Sequence, residues 1–286
     1  MSSNDIIFRI TDEFISRYDV KYNFMSSFNR KNGSYIRTGI LKDGIETDED
    51  PFMASYPHLI DVGIMGYCIH GSSGLCAKAG IECYQNGFSK KEENMSLQSF
   101  ERICIESTGL IDQIALGGRG DPDFHEEFEI ILKTCEKYAI VPNYTTSGLL
   151  MNKEKAVLSK RYCGAVAVSW YRSEYTLKAI NLLLKEKVKT NIHFVVDNNS
   201  IDTCEGARFS MYISPKMVAL PCSFDQEYKF AYDISNDTIT NAWNSKEFTS
   251  FRNILRNSCS FCNKRHNCFG GCPLKKEIVL CKEIIV

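Results

Sequence analysis

The sequence predicts an α/β fold, a partial (β/α) barrel followed by a small Cys-rich C-terminal domain. Three observations carry that expectation. Apolar runs alternate with helical patterns between residues 59 and 196, as parallel βα units require. The turns after the first four of these runs hold cysteines, glycines, Thr/Ser pairs and Ser-Trp. In a β/α barrel, the C-terminal strand ends build the active site. Beyond Asp197-Asn198-Asn199-Ser200 the alternation gives way to short strands, turns and cysteines.

Residues 1–58 read as an N-terminal extension. Phe8-Arg9-Ile10 predicts a short strand, and Asn32-Gly33 and Asp43-Gly44 are turn dipeptides, so a hairpin is expected. Leu59–Met65 predicts the first buried strand. Ser96–Ser107 predicts a helix with Phe100, Ile103 and Cys104 on one face, which makes Cys104 a core residue. Ile111–Leu116 predicts the second strand and runs into Gly117-Gly118-Arg119-Gly120-Asp121-Pro122. Asp123 and Glu126 stand at capping-box spacing. In the helix that follows, Phe128, Ile131, Leu132 and Cys135 share a face, so Cys135 also belongs to the core. Tyr138–Tyr144 predicts the third strand and ends in Thr145-Thr146-Ser147-Gly148; Met151–Arg161 predicts a helix. Cys163, read as structural, precedes the strand Ala165–Val168, which ends in Ser169-Trp170. Glu174–Lys187 predicts a helix with Leu177, Ile180, Leu183 and Leu184 inward and its lysines in water. Asn191–Val196 predicts the fifth strand. Further on, Phe209–Ile213 and Met217–Leu220 predict short strands and Ser245–Leu255 a helix. Domain boundaries are expected at 1–58, 59–200 and 201–286.

Composition excludes several classes. The chain has 34 basic and 35 acidic residues and a net charge of −1, which gives no footprint for long nucleic acid. No run is long enough to span a bilayer. The start, Met1-Ser2-Ser3-Asn4-Asp5, lacks the basic and apolar regions of a signal peptide, so a cytoplasmic protein is expected. In reducing cytosol, 13 cysteines point to metal binding or redox chemistry rather than disulfides.

The stretch Tyr67 to Tyr84 places Cys68, Cys76 and Cys83 on a Gly-rich loop directly after the first strand. Three thiolates on a four-iron cluster leave one iron open to a substrate. Taken alone, the loop reads equally as a surface loop with incidental thiols. The tail is more specific. Cys259-x2-Cys262-x5-Cys268-x3-Cys272 precedes Cys281, and Cys204 and Cys222 lie upstream, seven cysteines in a segment broken by Gly270-Gly271 and Pro273. Paired short spacings let neighbouring thiolates converge on a metal centre, either zinc or iron–sulfur.

Together these residues resemble the radical SAM superfamily, in particular its members with a C-terminal SPASM domain. The tail has the SPASM spacing throughout. Cys204-x-Gly206 and Ile213–Cys222 are similar to the SPASM lead-in, and Ile239–Trp243 with Phe248 and Arg252 to its spacer. Gly117–Pro122 is similar to the family's Gly-Gly-Glu region, with Asp121 in the acidic place. Three departures stand out. Met217 replaces a usual Gly, so a different turn is expected there. The cluster loop is Cys68-x7-Cys76-x6-Cys83, against the family's Cys-x3-Cys-x2-Cys. Only seven residues separate Val196 from Cys204, which leaves the barrel short.

The resemblance implies 4Fe–4S clusters and S-adenosylmethionine as cofactors. Cys68, Cys76 and Cys83 would hold the cluster whose open iron chelates S-adenosylmethionine. One-electron cleavage would then yield a 5′-deoxyadenosyl radical for hydrogen abstraction. Gly117, Gly118 and Gly120 would let backbone approach the methionine moiety, with Asp121 beside them; a tight βα turn is the alternative reading. Ser147 and Ser169 would reach its carboxylate or ribose, or else cap turns. Tyr84 would flank the adenine or the cluster, or simply pack. His70 reads as an exposed loop residue, with cluster tuning as the alternative. Cys259, Cys262, Cys268 and Cys281 would hold one auxiliary cluster, and Cys204, Cys222 and Cys272 a second with an open iron. The implied substrate is a peptide or protein, modified by crosslinking or side-chain oxidation. The implied electron donor is a flavodoxin or ferredoxin. A small molecule or nucleoside substrate, or a non-catalytic electron-transfer or zinc protein, are the competing readings.

Overall fold

The computed structural model describes residues 5–78, 80, 83–88, 91–193, 204–257, 262 and 271–275. The strands are β1 (Ile6–Ile10), β2 (Phe14–Asp19), β3 (Phe24–Asn29), β4 (Tyr35–Arg37), β5 (Leu41–Lys42), β6 (Ile45–Glu46), β7 (Leu59–Met65), β8 (Gln113–Gly118), β9 (Val141–Thr146), β10 (Val166–Ser169), β11 (Thr190–His193), β12 (Ser210–Ile213), β13 (Val218–Leu220) and β14 (Tyr232–Asp233). The helices are α1 (His70–Ser73), α2 (Leu75–Lys78), α3 (Leu97–Ser107), α4 (Phe128–Lys137), α5 (Lys153–Tyr162), α6 (Glu174–Lys185), α7 (Ile239–Trp243) and α8 (Lys246–Asn257).

The central sheet runs β11-β10-β9-β8-β7-β12-β13-β14. Its first six members are mutually parallel, and β13 and β14 add antiparallel strands at one edge. Helices α3 to α6 cover the outer face, where Ile60, Val62, Ile64, Ile114, Leu116, Val166 and Val168 form the core with Phe100, Ile131, Leu132 and Leu183. This is the expected partial barrel. Strand β12 comes from beyond the expected boundary at 200, yet it pairs in register with β7, Asp61 opposite Tyr212. The boundary itself lies in 194–203, outside the described residues, as does the end of the predicted fifth strand.

Local signals place most helices within a residue or two. Ser96, Asn152 and Ser173 cap α3, α5 and α6, each side-chain oxygen accepting a backbone N–H of its first turn. Asp123 does not cap α4. It lies in a 3-10 turn, Pro122–Phe124, and its buried carboxylate accepts from Thr146 Oγ1 at 2.9 Å and pairs with Lys155. The face of α6 is rotated from the expected one. Thr176, Ala179, Ile180 and Leu183 point inward at i, i+3, i+4 and i+7, whereas Leu177 and Leu184 lie off that stripe and are exposed. Cys104 and Cys135 are buried against one another across α3 and α4, and burial pushes the Cys163 thiol up to about 12.

Instead of one hairpin, the N-terminal segment forms a four-stranded antiparallel meander, β1-β2-β3-β4, and a small β5–β6 hairpin around Asp43-Gly44. The meander sits below the N-terminal ends of the barrel strands. Buried Arg17 donates to the carbonyls of Pro57 and Leu110, and Asp19 accepts from the Ser55 amide and hydroxyl at 2.6 and 2.8 Å. That end is therefore closed by side chains, and the C-terminal strand ends remain as the open mouth.

Beyond β14, Trp243 on α7 is fully buried and its Nε1 donates to Ala54 O at 2.9 Å. Arg252 on α8 donates to Ala207 O at 2.5 Å and Trp243 O at 2.7 Å, with its guanidinium over the Trp243 ring. This side chain pins the segment that carries Cys204.

Met217 overturns the expectation of a different turn. Its φ of 58° is the left-handed conformation that glycine adopts most easily. The side chain is nevertheless buried in the core. Relieving the backbone would return about 1–2 kcal/mol. Deleting a buried methionine side chain costs about 2–5 kcal/mol. Burial wins, so Met217→Gly is expected to lower stability by about 1–3 kcal/mol in urea unfolding at unchanged m-value. A variant as stable as the parent would contradict this balance.

Candidate active site

The mouth of the barrel is built where β7 and β8 end. Gly118 has φ 117°, and a Cβ there would stand 2.4 Å from Met65 O; on Gly120 it would stand 2.5 Å from Tyr67 O. These two glycines let the backbone leading into the cysteine loop lie directly on the β8 turn. Gly117 differs, because its missing side chain faces the lumen beside Asp61.

Asp121 organises the loop. Its Oδ2 accepts from Ser147 N at 2.9 Å, Ser147 Oγ at 2.5 Å and Thr146 Oγ1 at 3.4 Å. His70 Nε2 lies 3.2 Å from the same oxygen and 3.0 Å from the Ser147 hydroxyl. His70 is thus buried and fixed, contrary to the expected exposed residue. Through it, α1 is tied to the ends of β8 and β9 two residues after Cys68.

The three loop cysteines are half-buried and lie close enough to influence one another. Cys76 bears on Cys68 electrostatically and Cys83 on Cys76, and Asp121 bears on both Cys68 and Cys76. Burial pushes the Cys68 thiol up to about 11, opposed by the backbone N–H groups of His70 and Gly71. Burial also raises Cys76, opposed by a hydrogen bond to Tyr171 Oη at 3.7 Å. The Gly87 amide donates to Cys83 Sγ at 3.2 Å. A Cβ on Gly87 would stand 3.1 Å from Cys68 Cβ and 3.3 Å from Cys83 Sγ, so glycine keeps the space between these thiols clear. Among the described residues no three Cys, His, Asp or Glu side chains are gathered tightly enough for a single metal ion. An all-thiol set ringed by amide donors suits the sulfur chemistry of an iron–sulfur cluster.

A second group of thiols stands on the flank. Cys222 is influenced by Cys204 and Cys272, and Cys204 by Cys272. A Cβ on Gly206 would meet Cys204 Sγ and Cys222 Cβ at 3.5 Å each. Burial pushes Cys222 up to about 11 and raises Cys204, each opposed by a backbone N–H, from Phe224 and Gly206 respectively. Cys262 is described; Cys259, Cys268 and Cys281 lie outside the described residues.

Tyr84, next to Cys83, stacks on Phe224, two residues after Cys222, with ring centroids 4.3 Å apart. That contact joins the two thiol groups. Ser169 is not among the groups around Asp121; it influences Tyr171, whose hydroxyl accepts from Cys76 Sγ. The sequence reading missed Tyr171 and Phe224. Their signal is positional, since one follows a strand end and the other a cysteine.

Residues 204–269 match the SPASM family, described as an iron-sulfur cluster-binding domain. The chain has the radical SAM fold with a C-terminal SPASM domain. BtrN, solved in complex with AdoMet and 2-DOIA, is 19% identical with a TM-score of 0.56; the match covers 70% of this chain and 87% of that one. SuiB from Streptococcus suis, bound to precursor peptide SuiA, is 13% identical with a TM-score of 0.56, covering 95% of both chains. Native anSMEcpe with bound AdoMet is 13% identical with a TM-score of 0.57, covering 78% of this chain and 92% of that one. No curated protein matches the sequence. Among the described residues no helix is long and apolar enough to cross a membrane.

Asp121→Ala removes one acceptor from three protein hydrogen bonds and from His70. Hydrogen bonds to charged groups contribute about 1.5–3 kcal/mol each, less than additively, so a loss of about 2–4 kcal/mol is expected in urea unfolding. A loss too small to measure would remove Asp121 as the anchor of the loop.

Proposed function

We propose that this chain is a radical SAM enzyme that abstracts hydrogen from a peptide or protein substrate in the cytoplasm. The observation that carries the reading is the gathering of Cys68, Cys76 and Cys83 at the open mouth of a parallel sheet whose flank carries the SPASM thiols. The first set would hold one 4Fe–4S cluster. Cys204, Cys222 and Cys272 would hold a second, and the remaining tail cysteines, Cys259, Cys262, Cys268 and Cys281, a third. When bound, the cluster and S-adenosylmethionine would supply the one-electron chemistry for hydrogen abstraction from the substrate.

The chain's own residues bind, orient and shield. Amides of His70, Gly71 and Gly87 support thiolate character on Cys68 and Cys83. Asp121, Ser147 and His70 hold the loop against the barrel, and the Gly117 edge leaves backbone open toward the lumen. Ser169 would act through Tyr171 on the Cys76 side. Tyr84 and Phe224 fix the loop against the SPASM segment, which keeps the two sulfur-rich regions at a constant separation. A flavodoxin or ferredoxin would deliver the electron.

A peptide substrate is favoured because SuiB is solved with the precursor peptide SuiA and anSMEcpe with the Cp18Cys peptide. A small molecule is the second reading, favoured by BtrN, which is held with 2-DOIA.

Anaerobically reconstituted protein should carry about twelve iron atoms per chain if three four-iron clusters form. Reduced with dithionite in the presence of S-adenosylmethionine, it should release 5′-deoxyadenosine. Replacing Cys68, Cys76 and Cys83 together by Ala should remove about four iron atoms and abolish that release. A pool of synthetic peptides bearing Ser, Thr and Cys then tests the substrate class by mass loss. Zinc in place of iron, or release that survives the triple replacement, would sink the reading.

A further inference from the structure

Asp61 stands in the middle of β7, the strand that leads to Cys68. Its neighbours Ile60 and Val62 point outward into the core, so Asp61 points into the lumen. On one side the register places it opposite Ala115 of β8 and on the other opposite Tyr212 of β12. Its Oδ1 lies 3.1 Å from where a Cβ on Gly117 would stand. The Tyr212 hydroxyl lies over Gly63, two residues further along the same face, where a Cβ would be 2.2 Å away. Among the described residues the Asp61 carboxylate makes no hydrogen bond or ion pair, unlike Gln113 and Asn143 on the same face, which bond to each other at 2.9 Å. A half-buried acid without a partner is costly to keep.

The ionisable groups that feel Asp61 come from three elements: Tyr84 of the cysteine loop, Tyr212 of β12 and Cys222 after β13. Arg119 bears on Tyr212 but is itself engaged by Glu92 at 2.6 Å. Among the described residues no cation offsets the carboxylate, and burial pushes Asp61 up to about 7. That is the range in which a carboxylate exchanges protons at neutral pH.

We propose that Asp61 is the proton acceptor of the barrel lumen, taking a proton from an O–H, N–H or S–H group of the bound substrate. The proton moves to a carboxylate oxygen of Asp61, the bonding pair stays on the substrate heteroatom, and water later carries the proton away. The inference rests on the reading that the lumen receives a substrate beside the two thiol groups.

Three measurements on the full-length protein test it. Isotope-edited infrared titration should find a carboxyl group with a midpoint near neutrality that disappears in Asp61→Asn. The folded state holds the Asp61 proton to higher pH than the unfolded chain does, so ionisation weakens the wild type as pH rises from about 4 to about 7. Asp61→Asn should therefore melt higher than wild type at pH 8, with the difference gone in acid below the unfolded carboxyl range. With the peptide converted in the assay above, product formed per 5′-deoxyadenosine should fall by about 100-fold in Asp61→Asn and recover in part in Asp61→Glu. A titration midpoint in the ordinary carboxylate range, or an unaltered product ratio in Asp61→Asn, overturns the proposal. Absence of 5′-deoxyadenosine from the wild type sinks the functional reading instead, and the titration still decides the state of Asp61.

Discussion

One carboxylate oxygen holds the mouth of this barrel together. Asp121 Oδ2 gathers the Ser147 amide, the Ser147 and Thr146 hydroxyls and the His70 imidazole. Each belongs to a different constraint. Asp121 follows β8, Thr146 ends β9, and His70 opens a four-residue helix that could not persist alone. Hydrogen bonds to an ionised acceptor are stronger than neutral ones, and in a half-buried setting water competes for them poorly. Cys68 is two residues from His70, so the position of the first thiol follows from this junction. The close contact of Gly118 and Gly120 with the loop backbone completes it.

A second constraint is the continuity of the sheet. Strand β12 follows the segment that carries Cys204, and it pairs with β7, the strand that leads to Cys68. Two cysteine-bearing regions far apart in sequence are thereby set on adjacent strands. The Tyr84–Phe224 stack closes the same distance at the level of side chains. Aromatic pairs of this kind contribute about 0.5–1.5 kcal/mol beyond burial, too little to hold two domains but enough to fix a loop already anchored by Asp121. Arg252 secures the other side by bonding the Ala207 carbonyl from α8.

What the sequence made legible was local. Strand β7 is placed to the residue, and the core cysteines Cys104 and Cys135 follow from helical spacing that the packing of α3 on α4 respects. The spacing of the tail cysteines pointed to a metal centre, zinc or iron–sulfur, and residues 204–269 match an iron-sulfur cluster-binding domain. What stayed hidden depends on contacts between distant segments. The N-terminal meander is built from strands such as Phe24–Asn29, whose Ser and Asn residues carry little β signal, and it is held by Arg17 reaching the carbonyls of Pro57 and Leu110. No local pattern announces that β12 will lie against β7. His70 reads as exposed because its loop is Gly-rich, and only Asp121, 51 residues later, explains its burial. Met217 shows the reverse case, where a side chain enters a glycine-like turn because the core has room for it.

Two acids pushed up by burial separate structural cost from a chemical role. Asp112 precedes β8 at the closed end of the barrel, and burial pushes its carboxyl up to about 6 against the pull of Arg17. Arg17 is itself buried there and bound to two carbonyls; neither Asp112 oxygen has a hydrogen-bond partner among the described residues, and both groups belong to the plug that seals that end. Asp61 faces the lumen, is also pushed up by burial, and among the described residues has no cation to draw it back. Nothing in the packing of β7 calls for a carboxylate at that position: its outward neighbours are apolar, and the glycines at 63 and 117 leave space around it rather than partners. A strand that otherwise reads as Leu-Ile-x-Val-Gly-Ile-Met would be more stable with an uncharged residue there. Where a sequence keeps a group that local physics disfavours, function is the usual compensation. The lumen between the two thiol groups is where that compensation would act.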